Sequence, residues 1–264
     1  MNTRMQNFER NTLSEVINSK RVWATHLVVN ALLMVAFFYW ARIPEATIRQ
    51  FTFTVTFGAA IVFLTLWLHS ATFNYFRPAS ERRLLTSLRN SIARIPAFLL
   101  WAAIFGIVLW YIGRLWDYEE QVGGYVHHLL PQFLRRIITP QSLFSAMHWL
   151  TWFLYFFLWP ILFLPVGAQI AAKNFRGFFS AAAFRPVREL RFWIAYAVCF
   201  LMGAYLPYTL AWMVPQKPSS LIAQAASMTV RLGFGYLLAV TAWVVLCAAI
   251  ARAGGGDLET TTAA

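Results

Sequence analysis

Charge is scarce in this chain. Asp, Glu, Lys and Arg make up 12% of its 264 residues, about half the share of an ordinary soluble domain. Carboxylates are scarcest, at 10 against 22 Lys and Arg, and none lies inside any of the long apolar runs. Intramembrane carboxylates are the usual carriers in proton- or sodium-coupled transport, so that chemistry loses its ordinary groups. Cysteine is nearly absent too. Cys199 and Cys247 both sit in apolar runs, which argues against a disulfide framework or a thiolate metal cluster and for small apolar packing residues. There is no Gly-x-Ser-x-Gly elbow, phosphate-binding Gly-x-x-x-x-Gly-Lys loop, His-Glu-x-x-His pair or Cys-x-x-Cys pair, so no catalytic signature is present. A removable signal peptide is not expected either: Glu9 and Glu15 precede the first apolar run, and Tyr39-Trp40-Ala41-Arg42 follows it in place of a small-residue cleavage site.

What the chain has is apolar surface. It is 59% hydrophobic and 17% aromatic, with 12 Trp and a mean hydropathy of +0.56. One water-soluble core cannot hide that much, so lipid must solvate most of it. Six runs reach the ~20 residues that a helix needs to cross a hydrocarbon core: Val22–Trp40, Phe51–Leu68, Pro96–Gly113, Trp149–Ala172, Phe192–Val214 and Leu232–Ala251. Phe51 to Phe57 alternates as a barrel strand would. The run then continues unbroken and the other five do not alternate, which favours helix. The expected fold is an all-α polytopic transmembrane bundle with short interfacial amphipathic helices. Residues 1–21 form an amphipathic N-terminal segment, 22–252 the six-helix domain, and 253–264 a disordered tail.

The net charge of +12 falls between the runs. One side carries Arg4, Arg10, Lys20 and Arg21, then Arg77, Arg82, Arg83, Arg89 and Arg94, then Lys173, Arg176, Arg185, Arg188 and Arg191, then Arg252. The other has only Arg42, Arg49, Arg114, Arg135, Arg136 and Lys217, with Arg231 at a boundary. The positive-inside rule places both termini in the cytoplasm, and the compact loops suit a bacterial inner membrane. Arg77, Arg82, Arg83, Arg89, Arg94, Arg176, Arg185, Arg188 and Arg191 are expected to meet anionic headgroups; nucleic acid is not expected as a partner. A membrane-protein partner or a second copy is compatible with the small-xxx-small pairs Ala102/Gly106, Gly167/Ala171, Cys199/Gly203 and Gly235/Ala239.

Thr12-Leu13-Ser14-Glu15 reads as a capping box before a helix with Leu13, Val16 and Ile17 on one face. Pro78 to Arg94 reads as a basic amphipathic helix with Leu84, Leu85, Leu88, Ile92 and Ile95 along one side. Residues 117–148 form the one long outer connection. An interfacial helix interrupted by Pro131 is expected there, and Thr139-Pro140 is expected to open the next helix. Asn74-Tyr75-Phe76-Arg77 echoes Asn174-Phe175-Arg176, a hint that one hairpin repeats.

Candidate functional groups are few. His127, His128 and His148 are the candidate metal ligands; adjacent His127 and His128 diverge by about 100° on a helix, a poor chelating geometry. His26 and His69 share a depth that a bis-histidine haem would use. No cofactor is expected. Pro160, Pro165 and Pro207 interrupt spans four and five and free backbone carbonyls. A cavity there would be lined by Gln169 and Tyr205, with Arg231 nearby. Arg231 ends a polar stripe with Ser220, Gln224 and Ser227, read as snorkelling to the interface or as an anion contact. The leading reading is a non-catalytic membrane component, an accessory subunit or a lipid-interacting scaffold. The alternatives are a transporter of an apolar or amphiphilic molecule through the proline-kinked spans, and a metal- or haem-dependent enzyme.

Overall fold

A computed structural model describes residues 14, 16–44, 46–77, 83–213 and 220–253. Within them the chain is all-α, without strands. It is a multi-pass membrane protein: six helical segments are long and apolar enough to cross a bilayer, Lys20–Trp40, Ile48–Tyr75, Ile95–Leu129, Pro140–Phe179, Phe192–Trp212 and Leu221–Ala253. Phe51 to Phe57 is helical, because a lone strand in lipid would leave its backbone polar groups unpaired.

In chain order the elements are α1 (Lys20–Trp40), α2 (Ile48–Tyr75), α3 (Leu84–Ile92), α4 (Ile95–Arg114), α5 (Glu119–Leu129), α6 (Gln132–Arg135), α7 (Pro140–Phe153), α8 (Trp159–Lys173), α9 (Leu190–Phe200), α10 (Leu206–Trp212) and α11 (Leu221–Ala253). A 3₁₀ turn over Leu115–Tyr118 joins α4 to α5. Thr139 caps α7 as expected, its Oγ1 accepting from the Ser142 N–H at 3.1 Å with Pro140 in the first turn. Two π turns, Leu154–Leu158 and Leu201–Tyr205, have one cause. Pro160 cannot donate to the Phe156 carbonyl, nor Pro207 to that of Gly203, and each carbonyl lies inside a π turn, where the ladder shifts to accommodate the missing N–H.

The chain divides into two compact units, Met1–Leu99 with Pro165–Ala264, and Leu100–Leu164. In the first, α1 packs on α2, and α9, its π turn and α10 pack on α11. The second seam depends on small residues: a Cβ on Gly203 would stand 2.7 Å from the Ala242 Cβ, and one on Gly235 3.3 Å from Pro207. In the second unit, α5 packs on α7. There Trp101, Phe105, Trp159 and Phe163 stack with ring centroids 4.6 to 6.2 Å apart. Trp101 donates to the Phe163 carbonyl and Trp159 to that of Phe105. Gly106, in the expected Ala102/Gly106 seam, has open space around it.

The amphipathic segments orient in an informative way. On α3 the serines face inward: Ser87 and Ser91 are buried, while Leu85 is 80% exposed. Leu85 and Ile92 are therefore left free of protein, as an interfacial helix requires, whereas Leu84 and Leu88 are half-buried and Ile95, expected on the same side, is buried. Before α1, Val16 is buried and Ile17 is exposed, so the two do not share a buried face; Thr12, Leu13 and Glu15 of the capping box lie outside the described residues, as do 78–82 and the tail from 254 on. The Asn74 and Asn174 segments do not share local structure. Asn74 is helical, whereas Asn174 has φ 57° and opens a run of 3₁₀ turns.

Candidate functional site

Where α3 gives way to α4 and α8 ends, polar groups collect. Arg89, Asn90, Ala93 and Arg94 face Ala172, Lys173 and Asn174 across a cavity of about 490 Å³. Asn174 takes the left-handed conformation common just past a helix end, which stops α8 and turns the chain back. The following 3₁₀ run passes so close to α8 that a Cβ on Gly177 would stand 2.5 Å from the Gln169 backbone. Ser180 reaches Lys173 at 3.0 Å and Gln169 at 3.3 Å.

The electrostatics of this cavity are one-sided. Arg94 Nη1 and Asn174 Oδ1 are buried without a hydrogen-bond partner among the described residues. The described ion pairs, Arg114–Asp117 and His148–Glu119, involve none of its residues. Burial, and after it the nearby Arg77 guanidinium, lowers the Arg94 pKa from its usual value; a guanidinium still stays charged. A half-buried cation with an unpaired N–H donor costs free energy that an anion supplying the missing acceptor would recover. Of the nine arginines expected at headgroups, Arg89 and Arg94 line this cavity. Arg77 lies half-buried near Arg94. Arg83, Arg176, Arg185 and Arg188 are exposed. Arg191 is in α9, and Arg82 is outside the described residues.

A second polar group sits within the helices, and most of its members bond to one another. Thr72 Oγ1 donates to the Leu68 carbonyl at 2.8 Å, so it must accept the 2.7 Å bond from His26 Nε2. His26 Nδ1 then accepts from Asn30 Nδ2 at 3.1 Å. The Trp243 indole, which can only donate, gives its proton to His69 Nδ1 at 2.8 Å. The two imidazoles stack at 5.9 Å, and the Tyr236 hydroxyl donates to the Leu27 carbonyl at 2.5 Å. Both nitrogens of His26 are engaged, so it has no lone pair left for haem iron.

In the second unit, Glu119 is 3% exposed. Its Oε2 lies 3.1 Å from His148 Nδ1, while its Oε1 and His127 Nε2 are buried without partners. His128 is exposed. Among the described residues no three His, Cys, Asp or Glu side chains converge as a metal site would need.

The proline region is packed. Pro165 and Gln169 are buried, and Pro207 lies against Gly235. Tyr205 is 49% exposed. Neither this basic cavity nor the groove beside His69 is lined by Pro160, Pro165, Gln169, Tyr205, Pro207 or Arg231. Arg231 does something the stripe pattern did not suggest. Its guanidinium donates to the Leu210 carbonyl at 3.1 Å and to the Met213 carbonyl, satisfying carbonyls that the end of α10 leaves open. No family model, curated protein or solved structure matches the chain.

Proposed function

We propose that this multi-pass membrane protein is a non-catalytic membrane component that holds an anionic lipid headgroup in the cavity of Arg89, Arg94 and Lys173. The observation that carries the reading is the grouping of Arg89, Arg94 and Lys173 around a cavity with no carboxylate among the described residues that line it, beside an Arg94 Nη1 that is buried without a described partner. A lipid phosphate would supply the acceptor and the countercharge together. The exposed apolar side of α3, with Leu85 and Ile92, supports the same placement: it would lie among acyl chains while the arginines reach headgroups. The arginine-rich connections support a placement of this end in the cytoplasmic leaflet of a bacterial inner membrane, with both termini inside the cell, by the positive-inside rule. An accessory role beside another membrane protein, or a second copy of this chain, fits a scaffold of this kind. Conduction past Pro160, Pro165 and Pro207 has weaker support, because Pro165 and Gln169 are buried.

The test is lipid binding by the purified protein in neutral detergent. Phosphatidylglycerol should bind more tightly than phosphatidylcholine, and less so as salt rises. At about 1 kcal/mol for each basic residue near a headgroup, the triple variant Arg89→Gln, Arg94→Gln, Lys173→Gln should bind phosphatidylglycerol roughly a hundredfold more weakly. Glycerol phosphate, added as a soluble competitor, separates recognition of the phosphate alone from recognition of the whole lipid. Equal affinity for the two lipids at low salt, or an unaffected triple variant, overturns the reading.

A further inference from the structure

The histidine network borders a groove that it does not fill. α1, α2 and α11 border an open groove of about 660 Å³ beside His69 and Trp243, lined by Leu33, Phe37, Phe38 and Ile61 among others. On α1 its lining runs from Asn30 to Phe38, a length of about 12 Å at the helical rise of 1.5 Å per residue. The groove is therefore elongated along α1, and no charged side chain lines it among the described residues.

Of its polar lining residues, His69 carries the donor that matters here. Because Trp243 donates to His69 Nδ1, the neutral His69 ring carries its proton on Nε2. That N–H has no partner among the described residues, whereas His26 behind it has both nitrogens engaged. The donor is held in place from two sides, by the indole and by the stacked His26 ring. An unpaired donor in an apolar setting is costly until an acceptor arrives, and an ionisable residue within a span is by default a candidate functional site.

The geometry points to a binding site for a neutral amphiphile with one carbonyl oxygen at its head and a flexible apolar chain. The carbonyl would accept from His69 Nε2–H and the chain would lie along Leu33 to Phe38. The absence of any cation in the lining disfavours a carboxylate or phosphate head, so this site differs in chemistry from the basic cavity and stands or falls separately.

The probe is a medium-chain methyl ketone with a photoreactive diazirine near its chain end, used on the full-length protein in lipid nanodiscs. Mass spectrometry should find cross-links concentrated at Phe37, Phe38 and Ile61. The hydrocarbon analogue without the carbonyl should label these positions about five- to tenfold less, the worth of one hydrogen bond. Leu33→Trp, which narrows the groove without touching the histidines, should suppress labelling by a similar factor, as should His69→Phe. Labels spread evenly over the lipid-facing helices, equal labelling by ketone and hydrocarbon, or no effect of Leu33→Trp would each overturn the proposal. In the last case bulk lipid chains, and no specific ligand, fill the groove.

Discussion

The basic cavity and the histidine network are both polar, and they handle polarity in opposite ways. Around His26 almost every donor has an acceptor: Asn30, Thr72, Trp243 and Tyr236 close a set of hydrogen bonds in which no group need be charged. At Arg94 the groups are charged, of one sign, and in part unbonded. The first arrangement holds helices together, with the His69 Nε2–H left over among the described residues. The second weakens the fold slightly until something outside the protein completes it. Satisfied polarity is structural, and unsatisfied polarity is where a ligand gains affinity.

That contrast can be attacked from several directions. The largest effect is expected for Gly177→Ala, since its Cβ would stand 2.5 Å from the Gln169 and Ile170 backbone. Moving that backbone should cost about 3 kcal/mol or more and disturb the Lys173–Asn174 wall of the cavity. Both a lowered melting temperature in detergent and weakened phosphatidylglycerol binding should follow. His26→Phe comes next. It leaves the Asn30 amide without its acceptor and removes the bond to Thr72, so a loss of about 2 kcal/mol is expected, read as a lower melting temperature with lipid binding intact. Trp243→Phe removes one donor and frees His69 Nδ1, for about 1 kcal/mol. Smallest for stability is Arg94→Gln, expected within about 0.5 kcal/mol of the parent in lipid-free detergent, while the thermal stabilisation produced by added phosphatidylglycerol largely disappears. If Arg94→Gln destabilised the lipid-free protein more than His26→Phe did, the contrast would be reversed.

The lengths of the spans were legible in the chain because a hydrocarbon slab imposes them residue by residue, and the helical state of Phe51 to Phe57 followed from the same argument. The cap at Thr139 is equally local: one side chain, one N–H and a proline in sequence. The arginines of the basic cavity were visible as headgroup candidates, but not their grouping with Lys173 and Asn174, which are distant in sequence. Several tryptophans donate across elements to backbone carbonyls, Trp40 to Thr54, Trp67 to Leu88 and Trp193 to Val187. An indole N–H takes whichever acceptor lies within reach, and nothing in local sequence names it.

Arg231 shows the division most clearly. Its spacing from Ser227 and Gln224 placed it on a polar stripe of one helix, and that much is a matter of 3.6-residue periodicity. Its partner, the open end of α10, became available only because Pro207 and the close contact of Gly203 with Ala242 bring α10 against α11. Composition and charge asymmetry specify that this chain crosses a membrane as helices, since transfer into lipid sums over residues and needs no knowledge of neighbours. Which polar atoms end up paired, and which are left facing a cavity, depends on helix packing. Packing is settled between residues that the chain keeps far apart.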